Sequence, residues 1–414
     1  MLRQTSANTE ALAHQTGFDP VLVRLLAVRG YKEPEDIQNF LCPENCELAD
    51  PLLFADMDKA ILRIQKALAE GEAFVVFGDY DADGIMSTVI LLRCFSALGA
   101  NPAYYIPKRD GEGYGLNNAA IFHLAEQGIR LIVACDNGIS AFEQIEYAQS
   151  LGIDVVVFDH HDITLNERGE QILPAACAVV DAKRQDCAYP FKYYCAAALC
   201  YRFSQLLFSS LGRDWQALQQ DLLPLAALAS VCDIVELQGE NRCLVKQGLP
   251  AILKSRNCGL RALLQVTELE NTEEISTYHV GFVLGPCINA AGRMGQVDIA
   301  IRLFLSESPA EAEQLAAMLL ELNQQRRKMT ESGTAAVFEQ IEEKGLEKDK
   351  VIVVHSAQIT ESIAGIIAGR VKERYYHPTI VIGGDGELLR GSGRSIHGYN
   401  IFDALSEVRD LFPS

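Results

Sequence analysis

Short, continuous apolar runs alternate with helix-length segments from residue 73 onward, and this alternation constrains the fold more than any other feature of the chain. Three such runs occur in "AFVVFGD", "LIVACDNG" and "DVVVFDHH", and the segments "GIMSTVILLRCFSALGA" and "SAFEQIEYAQSLG" lie among them. Strands that are apolar on both faces are typical of a parallel sheet that helices cover on each side. The pattern therefore predicts an α/β fold with a buried parallel sheet.

The segments outside this region predict added helices and a second, smaller α/β unit. The chain is helical in pattern up to about Phe40 and again at about 190–265, and "SPAEAEQLAAMLLELNQQRRKMTESGTAAVFEQIEEKG" predicts one long helix or two abutting ones. After it, strands are predicted in "KVIVVHS" and "PTIVIGG", with a helix in "ESIAGIIAGRVKERY". We expect a helical N-terminal segment at 1–50, the parallel-sheet domain at 51–303, a connecting helix at 304–346 and the smaller domain at 347–414.

Acidic and imidazole side chains follow the ends of the predicted strands. They are Asp79, Asp81 and Asp83 after the first run, Asp136 after the second, Asp159, His160 and His161 after the third, and Asp233 after the apolar segment "LAALASVCD". In an open α/β sheet, ligands bind beyond the carboxyl ends of the strands. We therefore expect these groups to converge on one crevice.

Carboxylates gathered in this way need cations, because like charges a few ångströms apart repel by several kcal/mol. Oxygen ligands with one or two imidazoles suit Mg²⁺ or Mn²⁺, and the histidine favours Mn²⁺. The number of acids predicts two ions that share a bridging carboxylate. Such a pair can hold a phosphate and activate water.

Other roles for the same acids account for less of the pattern. An EF-hand loop also begins D-x-D-x-D-G, but it needs Glu at its twelfth position, where this chain has Ile90. An aspartate that caps a helix explains Asp79 about as well as metal binding does. A helix cap does not explain acids at four segment ends.

The net charge and the lengths of the apolar runs limit the kinds of molecule that the protein can bind. The net charge of −19 argues against a broad basic surface for duplex DNA, although it allows a local basic cleft. No apolar run reaches the roughly 18 residues of a membrane span, and the first residues lack the pattern of a signal peptide. We expect a cytoplasmic protein without a membrane partner, whose cysteines are reduced and mostly buried.

Several motifs, in order, resemble the DHH phosphoesterase superfamily and, within it, the RecJ-type exonucleases. The superfamily resemblance lies in "DYDADG", "DNG", "DHH" and the later Asp233, and the closer one in "GDYDADGIMST", "YYIPKRDGEGYGL", "INAAGRM" and "GSGRS". The resemblance covers nearly the whole chain. It implies that two metal ions are bound by Asp81, Asp83, Asp136, His160 and Asp233, with Asp136 as the bridge. It also implies that Asp79 and His161 support the site, and that His161 faces the scissile phosphate.

The second unit resembles a DHHA1 domain, which in this family contacts the substrate. The resemblance implies that the strand's phosphates are held by Asn289, Arg293, Ser392 and Arg394, with Arg109 near the cleft. Glycines around Ser392 would also let backbone N–H groups approach an anion, and Arg394 offers a fork suited to phosphate. An ordinary loop at "GSGRS" and a solvated Arg109 are the alternatives from the residues alone. Tyr104, Tyr105 and Tyr114 are candidates either for base stacking or for the core.

The activity that the resemblance implies is removal of 5′-mononucleotides from single-stranded DNA in the 5′→3′ direction, dependent on Mn²⁺ or Mg²⁺, in DNA repair and recombination. A single-strand-binding protein or a helicase is the implied kind of partner. The family normally continues into a Gly-Gly-His motif and an OB-fold, so the DHHA1 domain within residues 347–414 is expected to be incomplete. The alternatives are an oligoribonuclease or cyclic-dinucleotide phosphodiesterase that acts on short substrates, and a non-catalytic nucleic-acid-binding subunit.

Overall fold

The computed structural model describes residue 5 and residues 7–43, 47–108, 112–386 and 389–411. Its strands are β1 (Phe74–Phe77), β2 (Ala103–Tyr105), β3 (Leu131–Cys135), β4 (Asp154–Phe158), β5 (Ala178–Val180), β6 (Ile352–Ser356), β7 (Thr379–Gly383) and β8 (Arg390–Arg394). Two compact units divide the chain: Met1–Asn289 with Val297–Ala317, and Ala290–Gln296 with Met318–Ser414.

The first unit is built on a five-stranded sheet in the order β2-β1-β3-β4-β5, in which every neighbouring pair is parallel. The predicted α/β fold with a buried parallel sheet is confirmed. Strands β1 and β3 are neighbours, and β2 lies on the far side of β1, so the strand order reverses between β1 and β3. This position is a topological switch point, where α/β sheets bind ligands.

Helices account for most of the remaining described chain. In chain order they are α1 (Thr9–Thr16), α2 (Pro20–Val28), α3 (Pro34–Leu41), α4 (Met57–Glu70), α5 (Ala82–Ala97), α6 (Asn118–Glu126), α7 (Phe142–Ser150), α8 (Ala196–Ser210), α9 (Gln216–Cys232), α10 (Gly239–Leu253), α11 (Cys258–Val266), α12 (Gly285–Arg293), α13 (Val297–Leu305), α14 (Pro309–Lys344), α15 (Glu361–Tyr375) and α16 (Ile401–Ser406). Short helical turns occur at Pro51–Leu53, Thr277–His279, Leu346–Lys348 and Arg409–Leu411, and a π-helix spans Val280–Leu284.

The core of the first unit explains why the strands are apolar throughout. Strands β1 and β3 are buried along their whole length, and α5 buries nearly all of its residues. On one face of the sheet, Val75, Ile132 and Val157 pack with apolar side chains of α6 and α7. A sheet covered on both sides leaves only its strand ends for polar groups.

The second unit has a three-stranded sheet in the order β6-β7-β8. Strands β6 and β7 are parallel, and β8 runs antiparallel to β7. Residues of α15 such as Ile363 and Ile367 pack on this sheet with Val337 and Ile341 of α14. The predicted connecting segment is one continuous helix, α14, which begins in the first unit and ends in the second.

No helix in the described part of the chain is long and apolar enough to cross a membrane.

Helix α10 packs closely on α9 at Gly248, and a substitution there can test this contact. A Cβ atom at Gly248 would overlap the Cβ of Ala227 and lie 3.1 Å from the carbonyl oxygen of Leu223. We expect Gly248→Ala to lower the free energy of unfolding by about 1–3 kcal/mol, the usual cost of overpacking. Urea denaturation followed by circular dichroism measures the change. Gly281→Ala is the control, since its Cβ would lie 3.9 Å from Val231, and an equal loss in both variants would contradict the packing argument.

Asp181 lies directly after β5, and we expect it to make the stability of the folded protein depend on pH. Its side chain is fully buried, and Oδ2 accepts no hydrogen bond from the residues that the structure describes. Burial raises the pKa of Asp181 from 3.8 to about 7. Because the folded protein binds this proton more tightly than the unfolded chain, ionisation of Asp181 costs stability as the pH rises from about 4 through 7.

We therefore expect Asp181→Asn to match the wild type near pH 4 and to be the more stable protein at pH 8. Each pKa unit corresponds to about 1.4 kcal/mol, so the upper limit of the gain is about 4 kcal/mol. Urea titrations in EDTA at several pH values measure it. A difference that does not change with pH would contradict the prediction.

Candidate metal centre

The turn after β1 carries three aspartates, which have different partners. Asp81 caps α5, because its Oδ1 accepts hydrogen bonds from the backbone N–H groups of Asp83 (3.0 Å) and Gly84 (3.1 Å). Among the described residues, the hydrogen bonds that Asp81 accepts go to Oδ1. The sequence pattern suggested Asp79 as a possible helix cap, but the cap is Asp81. Asp79 is buried, with 3% of its surface exposed.

Asp83 connects the turn to a second helix. It is fully buried, and its two carboxylate oxygens accept hydrogen bonds from the N–H groups of Ala196 (2.8 Å) and Ala197 (2.9 Å), at the start of α8. A helix N-terminus stabilises negative charge through its free N–H groups and its dipole. The N-terminus of α8 therefore fixes the orientation of this carboxylate.

Asp136, directly after β3, adopts a left-handed backbone conformation with φ of 62°. Aspartate tolerates this conformation better than most residues. The neighbouring Asn137 donates from its side-chain amide to the carbonyl oxygens of Phe77 (3.3 Å) and Cys135 (2.9 Å), which links the ends of β1 and β3. Asn137 was not among the predicted site residues, although an "NG" turn directly after a strand indicates a residue at the end of that strand.

The turn after β4 is organised by Asp159. Its Oδ1 accepts hydrogen bonds from the N–H groups of His160 (2.7 Å) and His161 (3.2 Å) and lies 2.7 Å from His161 Nδ1. Its Oδ2 accepts from the N–H of Ile139 (2.9 Å), in the turn after β3. The hydrogen bond to Asp159 raises the pKa of His161 to about 9. Asp159 thus orients both histidines.

Asp233, at the end of α9, reaches the same place. The Nε2 atom of His160 lies 3.2 Å from Asp136 Oδ1, 3.6 Å from Asp83 Oδ2 and 3.7 Å from Asp233 Oδ2. Ligand atoms of Asp83, His160 and Asp233 all lie within 4.8 Å of one another, as do those of Asp79, Asp81 and Asp136. Neighbouring ligands of an octahedral ion bound at about 2.1 Å are about 3 Å apart. A third group joins His161 to Asp136 and His160. The structure therefore brings all the predicted metal ligands together in overlapping groups.

The electrostatics of these groups fit bound cations. Burial, followed by the charges of Asp83 and Asp81, raises the pKa of Asp136 well above its usual range and that of Asp233 to about 8. Burial also raises the pKa of Asp83 and lowers that of His160. Divalent cations would restore the ionised carboxylates and use the neutral imidazole as a ligand. The donor set, oxygens with one central imidazole, suits Mg²⁺ or Mn²⁺.

Asn289 lies beside this centre. Its Oδ1 accepts a hydrogen bond of 2.8 Å from the N–H of Ala82, the first residue of α5. Its carbonyl end therefore holds the aspartate turn. Arg109, predicted to lie near the cleft, falls outside the described residues.

The other predicted substrate residues lie in the second unit, around the first turns of α15. The Nη1 atom of Arg293 donates a hydrogen bond of 2.5 Å to the carbonyl oxygen of Ser362. The "GSGRS" segment forms strand β8 and not a loop, so Ser392 and Arg394 point to the same side of the strand. A Cβ atom at Gly365 of α15 would lie 2.9 Å from Ser392 Oγ and 2.7 Å from Arg394 Nη2. Gly365 thus leaves the space that these two side chains use.

Two of the three predicted tyrosines are held by side chains outside the metal centre. Tyr105 stacks on Phe77 with ring centroids 5.1 Å apart, and its hydroxyl donates to Glu112. The hydroxyl of Tyr104 donates a hydrogen bond of 3.0 Å to Asp298. Tyr114 differs, because its hydroxyl donates to the backbone carbonyl oxygen of Asp136 at 2.8 Å.

Comparison with known proteins agrees with this geometry. Residues 73–230 match the DHH family, N-terminal domain. The chain is 36% identical to the single-stranded-DNA-specific exonuclease RecJ of Bacillus subtilis over 99% of this chain and 51% of that protein. It is 33% identical to the same protein of Dickeya dadantii over 99% of this chain and 71% of that protein. The structure of Thermus thermophilus RecJ in complex with Mn²⁺ superposes with a TM-score of 0.82 at 27% identity, over 98% of this chain and 56% of that one.

The chain thus spans about half the length of the Bacillus subtilis relative and most of the Dickeya dadantii one. The matches run across both units, and the DHH match contains six of the seven clustered aspartate and histidine residues. The chain therefore belongs to the RecJ family of DHH proteins.

Proposed function

We propose that this protein is a dimetal-dependent exonuclease that removes 5′-mononucleotides from single-stranded DNA in the 5′→3′ direction, in DNA repair and recombination. The observation that carries the proposal is the pair of adjoining ligand groups, Asp79, Asp81 and Asp136 beside Asp83, His160 and Asp233. Relatives that are single-stranded-DNA-specific exonucleases support this activity. They support it over a phosphodiesterase for short substrates and over a non-catalytic binding subunit.

The residues of the site would have separate roles in hydrolysis. Asp81, Asp83, Asp136, His160 and Asp233 would hold two Mn²⁺ or Mg²⁺ ions, with Asp136 between them and Asp79 as a further ligand or support. When bound, such a pair activates water and neutralises charge on the phosphate. Asp159 Oδ1 lies 2.7 Å from Nδ1 of His161 and fixes the orientation of the ring, and Nε2 of His161 would face the scissile phosphate.

The polarity of cleavage would come from the second unit. Arg293 reaches the first turn of α15, and Ser392 and Arg394 lie against Gly365 of the same helix. A helix N-terminus with arginine and serine side chains is a site for phosphate. We propose that these residues, with Asn289 and Arg109, hold the phosphates at the 5′ end of the strand.

The location and the partners stay predictions from the sequence. We propose a cytoplasmic protein that works beside a single-strand-binding protein or a helicase, with the catalytic DHH domain at 51–303 and a DHHA1 domain at 347–414.

Asp136→Asn tests the metal centre. Asparagine tolerates the left-handed backbone of this position, so the fold should persist while the bridging charge is lost. We expect hydrolysis of 5′-labelled single-stranded DNA in Mn²⁺ to fall at least about 100-fold, since charge stabilisation in such sites contributes several kcal/mol. The control is Asp162→Asn, whose side chain is 97% exposed.

The wild type should release mononucleotides from the 5′ end only, and EDTA should stop the reaction. Near-normal turnover by Asp136→Asn would contradict the dimetal assignment. Cleavage of dinucleotides without degradation of longer strands would favour the short-substrate alternative.

Arg394→Ala tests the 5′-phosphate site. A hydrogen bond to a charged group contributes about 1.5–3 kcal/mol, so kcat/KM on 5′-phosphorylated DNA should fall by about tenfold or more. Activity on 5′-hydroxyl DNA should change little, and the preference between the two ends should disappear. Arg374→Ala is the matched control, because Arg374 pairs with Glu342 at the other end of α15. Equal losses on both substrates would contradict a phosphate contact.

A further inference from the structure

The loop that carries Tyr114 is anchored on both sides of this residue. On one side, Glu112 accepts a hydrogen bond of 2.8 Å from Tyr105. On the other, Leu116 is buried in the core of the first unit. Gly113 and Gly115 flank Tyr114 with φ of 84° and 71°, a conformation that L-residues rarely adopt. Glycine adopts this conformation without strain, and the anchors on the two sides limit where the loop can place the tyrosine.

The side chain of Tyr114 is fixed at its tip and open along its ring. Its hydroxyl donates to the carbonyl oxygen of Asp136 and lies 3.4 Å from His161 Nε2. The ring makes edge contacts with Tyr80 and His161, at centroid distances of 6.4 Å and 5.9 Å. Even so, 52% of the surface of Tyr114 is exposed. Large aromatic side chains that serve only for packing are usually buried.

A cavity of about 390 Å³ opens beside the ring. Its lining includes Tyr114, Gly138, Ser140, Gln144, Asp159 and His161. This volume lies within the range of about 300–1,000 Å³ that is typical of ligand sites. The cavity borders the histidine that, under the proposed function, contacts the scissile phosphate.

We propose that Tyr114 is a stacking platform for a nucleobase next to the scissile phosphate, and that this base occupies the cavity beside the ring. The inference rests on the proposed function and adds a base-contacting residue to it. Stacking on an aromatic ring tolerates every base, because each base has a π-face. A platform whose position is fixed in advance also loses little conformational entropy when the strand binds.

The hydroxyl of Tyr114 also connects the ring to the metal centre. It anchors the ring to the backbone of Asp136, so the stacked base and the bridging carboxylate share one rigid support. Tyr104 and Tyr105 cannot take this part, because Tyr104 is held by Asp298 and Tyr105 lies against Phe77.

The test uses 2-aminopurine, whose fluorescence is quenched when it stacks. Single-stranded DNA with phosphorothioate linkages at its 5′ end, which slow cleavage, carries this base at the first, second or sixth position from that end. The protein is added with Mn²⁺ until the anisotropy of a fluorescein-labelled strand saturates. We expect quenching at the first or second position with the wild type and with Tyr114→Phe, which keeps the ring. Quenching should disappear with Tyr114→Ala. Phe122→Ala is the matched control, since this aromatic residue of α6 is 49% exposed.

Kinetics with an abasic nucleotide at the quenched position give a second measurement. Stacking contributes about 1–3 kcal/mol per base, so removal of the base should raise the wild-type KM by at least about fivefold. Tyr114→Ala should show the higher KM on both substrates, with no further effect of the missing base.

Three outcomes would overturn the inference. Quenching that survives in Tyr114→Ala, or that occurs only at the sixth position, would place the base elsewhere. An abasic penalty that is equal in the wild type and in Tyr114→Ala would do the same. Failure of the wild type to bind single-stranded DNA at all would overturn the proposed function together with the stacking, whereas DNA binding and 5′ cleavage without quenching would overturn the stacking alone.

Discussion

Repulsion among carboxylates at the carboxyl ends of the strands is the interaction on which the rest of the first unit depends. Asp79, Asp83 and Asp136 are almost completely buried and close together. Charges of one sign in such a place are unfavourable unless cations or hydrogen bonds offset them. Backbone groups supply several of the hydrogen bonds, and the carboxylates with the imidazole suit divalent cations.

The offsetting hydrogen bonds come mainly from the backbone. Asp81 and Asp83 accept N–H groups at the starts of α5 and α8, and Asp159 accepts them from both turns that follow β3 and β4. Asp81, Asp83 and Asp159 are therefore held by backbone groups of the scaffold. This rigidity matters for catalysis, because a metal centre is effective only when its ligands keep their geometry.

Much of this arrangement could be predicted from the sequence, because it follows from periodicity. The apolar runs predicted the parallel sheet, and parallel strands place all their carboxyl ends at one edge, so Asp136 and His160 had to meet Asp81 and Asp83. Asp233 was harder, since it follows a helix whose direction no local pattern specifies. The resemblance to a family placed it.

The remaining details depend on tertiary contacts that no local pattern contains. Whether Asp79 or Asp81 caps α5 depends on small backbone rotations within one turn. The strand at "GSGRS" has two glycines, which usually indicate a loop, yet pairing with β7 holds it extended. The difference between Tyr105 and Tyr114 likewise appears only once Phe77 and the carbonyl of Asp136 are in place.

The distance along the chain between the ligands has a consequence for biosynthesis. Residues around β1 leave the ribosome first, and the turn after α9 leaves only after the whole sheet and two long helices have been made. Until then, a nascent chain exposes a partial set of acids, which binds divalent ions weakly because affinity grows with the number of ligands. A centre that needs Asp233 can therefore be completed only after α8 and α9 have been made.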